Sequence, residues 1–456
     1  MLETIVVISH NPPHPASTLQ LPEACERTWD AVVLGGGPAG AAAARTLASN
    51  GHSVLLVDKN EFPRPKVCGC CLSGSALDAL EQLGLGGLPE QLGALPLHEI
   101  RLFMGARRGA IRLPASKVVS RDAFDCAMIA AAIEAGAEFI SSTTARGTFI
   151  DAGGETRSVR VESHCKMGVL RGKVVLAATG LNHNAFLDSH PALQLDIDKA
   201  SRMGLGTSTT GSAGFQPAGR RDGGAPSGGG WLNAPRLGSV QAPGAYAPHT
   251  VFMASSGKGY VGLVSLEDGR INIAAALDPA FIRESGGPAK TIDAFLSNAG
   301  LPPLENAGEI RWHGTPLLTR RRKRVAAERL FLIGDAAGYV EPFTGEGIAW
   351  ALMSGFLAAQ IAGHGIGQWH AQLEEAWIGA HRQSIQNRQR PCQAISKVLR
   401  SPILSAAAVT IFTTVPLLSR PLLRFLHSPL SAPSRKGACT KPSRKGACTE
   451  PSRGAR

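Results

Sequence analysis

The stretch Ala31-Val32-Val33-Leu34-Gly35-Gly36-Gly37-Pro38-Ala39-Gly40 decides the fold of this chain. Its first four residues form a short apolar run with β-branched side chains, and strong helix formers follow from Ala41 to Ala48. The sequence therefore predicts a strand, a glycine turn and a helix in direct succession. A second strand of the buried type is predicted over residues 53–57 and ends on Asp58.

The spacing Gly35-x-Gly37-x-x-Gly40, placed between a strand and a helix, predicts a dinucleotide-binding turn. Gly35 permits the tight turn, Gly37 lets a pyrophosphate approach the backbone, and Gly40 allows close helix packing. The N-terminus of the helix favours an anion. Asp58 is expected to accept hydrogen bonds from ribose hydroxyls. The pattern fits FAD and NAD equally well.

The composition indicates a globular protein with several folding units. The chain has 456 residues, 44% hydrophobic and 18% charged, which excludes a disordered chain and a small disulfide or metal module. The net charge is +12, and residues 433–456 supply half of it, so no nucleic-acid partner is predicted from charge. Nine irregularly spaced cysteines indicate a reducing compartment. Residues 1–28 lack the pattern of a signal peptide, and we predict a cytoplasmic protein.

A second glycine-rich motif separates the two cofactors. Residues 330–338 read Leu-Phe-Leu-Ile-Gly-Asp-Ala-Ala-Gly, and an apolar helix is predicted to begin near Gly345 to Ile348. Together with residues 35–40, this motif resembles the two-part FAD signature of the glutathione-reductase-type flavoproteins, in the branch of geranylgeranyl reductases and aromatic hydroxylases. The resemblance implies that Asp335 holds the ribityl chain and that the amides at the start of the helix face the flavin pyrimidine ring.

Two shorter motifs agree with that branch. Ser120-Arg121-x-x-Phe124-Asp125 resembles the arginine motif that approaches the cofactor, and residues 174–180 resemble the strand and Ala-Thr-Gly segment near the nucleotide. Aromatic hydroxylases usually carry Asp-Gly where this chain has Thr179-Gly180, which argues against an NADPH-driven hydroxylase. The residues expected to bind FAD are Gly35, Gly37, Pro38, Ala39, Gly40, Asp58, Lys59, Lys66, Arg121, Gly180, Gly334, Asp335, Gly345, Gly347 and Ile348.

The segment Lys66-Val67-Cys68-Gly69-Cys70-Cys71 resembles the Lys-x-Cys-Gly segment that lies over the flavin in geranylgeranyl reductase-like proteins. The resemblance implies that Lys66 neutralises phosphate and that Cys68 is a catalytic residue near the flavin ring. Zinc binding and inert buried thiols are the alternatives. The three cysteines have no matching His/Cys pair elsewhere in the sequence, so no metal site is predicted.

The substrate half matches the branch less well. Tyr260 stands where geranylgeranyl reductases carry a Tyr-x-Trp-x-Phe-Pro segment, and it is the second predicted catalytic residue. The paired Trp-x-Trp of flavin-dependent halogenases is absent. No second glycine-rich fingerprint is present, so NAD(P)H would bind transiently or a protein would donate electrons. The five consecutive basic residues Arg320 to Arg324 form either a charged surface turn or a contact for such a donor.

The predicted fold class is α/β: a Rossmann-type FAD-binding domain, an interleaved antiparallel-sheet substrate domain and a helical C-terminal region. Residues 401–426 form an apolar run that either covers a substrate channel, lies at a membrane surface or packs in the core. The predicted organisation, in chain order, is an extension at 1–28, an FAD-binding domain at 29–95, 118–200 and 310–370, a substrate domain at 96–117 and 201–309 with a Gly/Pro-rich loop at 204–244, a helical region at 371–430 and a disordered basic repeat tail at 431–456.

These features predict an FAD-dependent oxidoreductase that acts on a hydrophobic small molecule, in the manner of the geranylgeranyl reductases. One alternative is a flavoprotein monooxygenase that hydroxylates a phenolic or polyketide-like substrate. Another, from a different class, is a flavin-binding interaction protein or RNA-associated protein that uses the basic tail.

Overall fold

A computed structural model describes residues 14–181, 187, 190–210, 246–304, 308–341, 343 and 345–400. Pro342 and Thr344, most of the predicted 204–244 loop, the apolar run 401–426 and the repeat tail 431–456 lie outside these residues. The strands are β1 Thr28–Leu34, β2 Val54–Val57, β3 Cys71–Leu72, β4 Leu95–Met104, β5 Arg107–Val118, β6 Glu138–Ile140, β7 Thr143–Ile150, β8 Arg157–Ser163, β9 Lys166–Ala177, β10 Leu195–Ile197, β11 Met203–Thr210, β12 Thr250–Ser256, β13 Gly259–Ser265, β14 Arg270–Leu277, β15 His313–Leu317, β16 Arg320–Arg322, β17 Ala326–Ala327, β18 Leu330–Leu332 and β19 Gly338–Tyr339.

The helices cover the first sheet and part of the second. Single helical turns of other types occur at Pro191–Leu193, Gly334–Ala337 and Arg382–Gln386. The α-helices are α1 Leu21–Glu26, α2 Pro38–Ser49, α3 Gly74–Gln82, α4 Leu88–Gln91, α5 Arg121–Glu134, α6 Pro279–Glu284, α7 Pro288–Ala299, α8 Gly347–Gly367, α9 Gln372–His381 and α10 Asn387–Arg400.

The first sheet is the predicted Rossmann-type sheet. Its central strand β1 lies between β2 and β9, and all three run parallel. The order is β17-β18-β9-β1-β2-β6, and β8 and β7 extend it in antiparallel fashion from β9. Residues 31–34 are fully buried because helices and strands cover both faces, which explains their continuous apolar run. Helix α2 packs against α5 and α8, and the C-terminal helices α9 and α10 follow α8.

The second sheet is the predicted antiparallel sheet, and it has the order β15-β11-β14-β13-β12-β4-β5-β3. Its strands pair antiparallel except β12 and β4, which run parallel. Two of its members come from segments predicted to belong to the FAD-binding domain: β3 at residues 71–72, and β15 at residues 313–317. A third, small sheet joins β10, β16 and β19.

The prediction of a loop beginning at residue 204 is wrong for residues 204–210, which form β11 between β14 and β15. The high glycine and proline content of residues 204–244 predicted a loop, but Gly204 and Gly206 lie in a strand where close packing favours glycine. A Cβ atom on Gly204 would lie 2.8 Å from Thr315 Oγ1, and one on Gly206 would lie 3.1 Å from a Val67 methyl. The other part of this loop, residues 211–244, is outside the described residues.

Part of the predicted N-terminal extension packs on the first sheet. Leu21 and Ala24 of α1 are buried, and the Trp29 indole donates a hydrogen bond to the Ala24 carbonyl. The Thr18 amide also donates to the Phe139 carbonyl at the end of β6. Residues 18–24 are therefore part of this domain, because their apolar side chains cover the sheet.

The basic run 320–324 is not a solvated turn. Arg320 and Arg322 are buried in β16, and their guanidinium groups donate to the carbonyls of Leu181 and Ala336. The alternation of a strand turns only Arg321, which lies between them, outward. Arg324 pairs with Glu375. Arg320 and Arg322 therefore hydrogen-bond to backbone carbonyls near the site and are not exposed to a protein partner.

Candidate functional site

A deep cleft lies between the first two sheets, at the carboxyl ends of β1, β2 and β9. Open α/β sheets bind ligands at this edge. Every site residue predicted from the sequence lines the cleft except Gly40. The predicted residues that line it are Gly35, Gly37, Pro38, Ala39, Asp58, Lys59, Lys66, Cys68, Arg121, Gly180, Tyr260, Gly334, Asp335, Gly345, Gly347 and Ile348.

The glycines of the turn have two roles: Gly35 and Gly40 allow close backbone packing, and Gly37 leaves the backbone open to a ligand. Gly35 has φ +115°, and a Cβ there would lie 2.3 Å from the Ala178 carbonyl oxygen. A Cβ on Gly40 would lie 1.8 Å from the Gly35 oxygen, so Gly40 allows α2 to follow the turn so closely. Gly37 is different, because its nearest neighbour is an Arg64 nitrogen at 3.8 Å. The backbone at Gly37 is thus open to the cleft.

Asp58 is held in place by the turn itself. One carboxylate oxygen accepts from the Gly36 amide at 2.7 Å, and the other accepts from the Asn60 amide at 2.8 Å. The side chain is buried at the end of β2 and lines the cleft beside Lys59. These bonds fix the position of the acid, and its remaining acceptor capacity is available to a hydroxyl group.

The distal motif forms the other side of the predicted cofactor site. Gly334 has φ +57° and begins a single helical turn that contains Asp335. The Gly334 amide donates to Ser354 Oγ of α8 at 2.9 Å. Burial raises the pKa of Asp335, and the neighbouring Lys66 ammonium partly offsets that effect. Burial likewise lowers the pKa of Lys66, which Asp335 opposes.

Arg121 lies in the site and is not solvated. It begins α5 and is buried, and its Nε and Nη2 atoms donate to the two oxygens of Asp125, each at 2.9 Å. Arg64 approaches the same carboxylate at 3.4 Å. Burial alone would lower the pKa of Arg121, but the charges and hydrogen bonds of Asp125 and Cys68 together outweigh it and raise the pKa. A permanent positive charge therefore stands in the cleft.

The thiol segment lies against both halves of the predicted cofactor site. A Cβ on Gly180 would lie 3.6 Å from Lys66 Nζ, and one on Gly345 would lie 3.6 Å from Cys71 Cβ. Asn272 of β14 fixes the segment from the second sheet, because its amide donates to the Cys68 carbonyl at 2.9 Å. Residues 66–71 thus bridge the two domains across the cleft.

Tyr260 presents its ring to the cleft, but its hydroxyl is engaged elsewhere. The phenol donates to Glu341, which also pairs with Arg202 at 2.9 Å. Burial, followed by the Glu341 charge, raises the pKa of Tyr260 well above its ordinary value. The ring contacts Phe343 edge to face at 5.0 Å between centroids. This buried network orients the ring, and sequence inspection missed it because Arg202 and Glu341 are distant in the chain.

Glu346 is a second site residue that the sequence motifs did not identify. It is buried directly before α8. Burial raises its pKa to about 7, although a hydrogen bond from Ser73 and the charge of Arg388 oppose this rise. In the sequence, the position of Glu346 between Gly345 and Gly347 is the feature that indicates a place in the site. A carboxyl at the start of α8 takes part in the electrostatics of the helix N-terminus.

The second sheet supplies an apolar wall to the same cleft. Its strands β4, β5, β12 and β13 present aliphatic side chains on one face. The wall consists of Leu97, Ile100, Leu113, Val251, Met253 and Val264. A cleft with glycine turns and fixed charges at one end and an aliphatic surface at the other can hold a charged cofactor beside a hydrophobic molecule.

The cleft fits FAD on features of the chain itself. Among the described residues, Thr179 Oγ1 and Arg64 Nε are buried, line this region and have no hydrogen-bond partner. Unsatisfied buried polar atoms are costly, and a polar ligand would satisfy them. The open backbone at Gly37 and the start of α8 provide amides for a pyrophosphate and a flavin ring. The residues present therefore match the needs of the cofactor.

Two other features, a metal centre and a membrane-spanning helix, are absent from the described residues. Within that part of the chain, no group of three or more His, Cys, Asp or Glu side chains is arranged to hold a metal ion. None of the described helices is both long enough and apolar enough to cross a membrane.

Comparisons with known proteins agree with the geometry. Residues 28–184 match the family model described as an FAD binding domain. The chain is 25% identical, over 74% of its length and 78% of the relative's, to the digeranylgeranylglycerophospholipid reductase of Thermoplasma volcanium. Its fold is similar to a geranylgeranyl bacteriochlorophyll reductase-like protein from Thermoplasma acidophilum, with a TM-score of 0.60, 19% identity and coverage of 88% of this chain and 99% of that one. It is also similar to p-nitrophenol 4-monooxygenase from Pseudomonas putida, with a TM-score of 0.64, 15% identity and coverage of 88% and 99%.

Proposed function

We propose that this chain, an FAD-dependent oxidoreductase similar to geranylgeranyl reductase-like proteins, reduces a carbon–carbon double bond of a hydrophobic small molecule. The observation that supports this proposal is the cleft. Its lining contains both the residues suited to binding FAD and the apolar wall, so a cofactor and a hydrophobic molecule could lie side by side. The named reductase relative, of comparable length, supports the choice of a prenyl-type substrate.

FAD supplies the hydride chemistry when it is bound. The residues of the chain bind and orient the two reactants. The turns at Gly35 to Gly40 and at Gly334 would hold the cofactor, and Asp58 and Asp335 would accept hydrogen bonds from its hydroxyl groups. Arg121 and Lys66 place positive charge in the cleft, where it stabilises negative charge on a bound anion. The apolar wall excludes water and aligns the hydrophobic molecule.

Cofactor binding is tested by Gly37→Leu with Gly153→Leu as its matched control. A leucine at Gly37 extends into the open cleft and should abolish FAD retention, whereas the unfolding temperature of the apoprotein should change little. Gly153 has open space around it, and its variant should keep one FAD per chain. Absorbance spectra and released-cofactor analysis give the stoichiometry. Full FAD content in Gly37→Leu would contradict the assigned site.

The reaction is tested by reducing the holoenzyme without oxygen and adding geranylgeraniol as the probe. The proposal expects a product heavier by two hydrogens for each double bond reduced, detected by mass spectrometry. The same enzyme is then exposed to ¹⁸O-labelled dioxygen. A product that carries ¹⁸O, with no saturated product under anaerobic conditions, would overturn the reductase and establish a monooxygenase.

The electron donor is tested in the same anaerobic cell. We propose that an external donor serves the enzyme, and NADPH, NADH and a reduced ferredoxin are compared by the rate at which the flavin absorbance bleaches. Transient binding of NAD(P)H predicts bleaching that saturates with nucleotide concentration. Bleaching by ferredoxin alone identifies a protein donor.

A further inference from the structure

Three of the seven cysteines that the structure describes stand within four residues, at positions 68, 70 and 71. All three line the cleft. Cys68 was predicted from the sequence as a single catalytic thiol, and that prediction leaves its two neighbours without a role. The geometry of the segment distinguishes Cys70 from Cys71.

The backbone folds the first two thiols toward each other. Cys70 adopts φ +59°, in the left-handed region, and its amide donates to Cys68 Sγ at 3.4 Å. The Cys70 thiol donates to the Cys68 carbonyl at 3.7 Å, so both its amide and its thiol bond to Cys68. The Cys71 thiol donates to the Gly69 carbonyl at 3.2 Å instead of to Cys68. Residues two apart span at most about 7 Å, which falls near the Cα separations that disulfides accept.

The surroundings prepare Cys68 as the nucleophile of the pair. The hydrogen bond from Cys70, together with the charge of the buried Arg121, lowers the pKa of the Cys68 thiol, although burial opposes this. The same contact and burial raise the pKa of Cys70. Burial raises the pKa of Cys71 to about 12. A thiolate beside a protonated thiol is the arrangement that thiol–disulfide chemistry uses.

We propose that Cys68 and Cys70 form a reversible disulfide that exchanges one electron pair with FAD bound in the cleft. In the oxidising direction the S–H bonds are lost and one S–S bond forms. The two electrons and two protons pass to FAD, which becomes FADH2. In the opposite direction FADH2 returns them and the S–S bond breaks. The inference rests on the proposed function only in that FAD occupies this cleft.

The thiol part is tested on the full-length holoenzyme without reference to activity. Diamide oxidises the protein, iodoacetamide then blocks free thiols under denaturing conditions, and trypsin releases Val67–Arg101, which contains all three cysteines. Wild type is expected to yield a peptide alkylated only at Cys71, with a disulfide between Cys68 and Cys70 that dithiothreitol removes. Cys71→Ser, the matched control, should form the same bond. A wild-type peptide alkylated at all three positions would overturn the proposal.

The flavin part is an anaerobic dithionite titration followed by absorbance. A thiol–disulfide couple takes two electrons, so diamide-oxidised wild type and Cys71→Ser should consume about twice as much reductant per FAD as Cys70→Ser. Equal consumption by all three proteins would overturn the electron exchange even if the disulfide forms. Failure of wild type to retain FAD would contradict the proposed cofactor site instead, and the peptide result would still decide whether the disulfide exists.

Discussion

The glycine turn at residues 35–40 and the apolar wall on the second sheet line the same cleft, but they are built differently. The turn comes from one short stretch of chain, and its shape depends on missing side chains: a single added Cβ at Gly40 would meet backbone at 1.8 Å. The wall comes from strands far apart in the chain and consists of side chains. Where the turn packs on backbone, at Gly35 and Gly40, it cannot accept an added Cβ, whereas a side-chain surface can repack after one substitution. Binding of a constant cofactor and of a particular substrate thus depend on different parts of the molecule.

The largest effect is expected at the turn. Gly40→Val places branched carbons against the Gly35 carbonyl, and neither backbone segment can move without disrupting β1 and α2. We expect destabilisation of about 4 kcal/mol or more, seen as loss of soluble, cooperatively unfolding protein. Gly153→Val, with open space around it, should change the free energy of unfolding by less than about 0.5 kcal/mol. Similar stability of the two variants would show that the turn is as adaptable as the wall.

The buried network behind Tyr260 tests how far the second sheet depends on distant pairs. Arg202→Met leaves the Glu341 carboxylate buried without its cation, and we expect a loss of about 3–5 kcal/mol in urea unfolding. Arg202→Met combined with Glu341→Gln should recover part of the loss. The exposed pair of Arg146 and Glu162 is the control, and Arg146→Met should cost less than about 1 kcal/mol. Equal losses for Arg202→Met and Arg146→Met would contradict the comparison.

Glu346 allows the electrostatics at the start of α8 to be measured by pH. Its pKa rises from 4.5 to about 7 on folding, so its stabilising contribution is complete below about pH 4.5 and is lost as the pH rises through 7. Glu346→Gln should therefore be more stable than wild type at pH 8, by up to about 3 kcal/mol, with the difference shrinking toward pH 4.5. Denaturant unfolding across this range measures it. Glu284→Gln, at an exposed position, should show no such trend.

The smallest effect is expected at the apolar wall. Met253→Gln adds polar atoms beside the proposed substrate, and we expect KM for geranylgeraniol to rise about 10-fold while FAD content stays unchanged. Met167→Gln, whose native side chain is 64% exposed, is the control and should behave like wild type. If Met253→Gln lost FAD but kept the wild-type KM per bound flavin, the wall would serve the cofactor and not the substrate, which would contradict this prediction.

Some site residues can be predicted from a short sequence motif, whereas others depend on residues that are distant in the chain. Gly35, Gly40 and Asp335 sit in short motifs whose spacing requires a turn, and the structure places Gly35 and Asp335 in the lining of the cleft and Gly40 beneath the turn, against the Gly35 oxygen. The strand β11 was missed because its glycines look like loop residues unless Thr315 and Val67 are known to pack against them. The burial of Arg320 was not predicted, because five consecutive basic residues are typical of an exposed surface. Its hydrogen-bond acceptor, the Leu181 carbonyl, also lies far away in the chain.

Local sequence alone predicted that the core begins with a strand, a glycine turn and a helix, and that a second glycine turn carries Asp335. These features are local because steric limits on φ and close backbone approach act over a few residues. Only the tertiary structure decided which side chains share the cleft: that Cys70, and not Cys71, meets Cys68, that Arg202 neutralises Glu341, and that the wall comes from four strands. The physical reason is that burial and charge pairing depend on distance in space, which the order of residues along the chain does not fix.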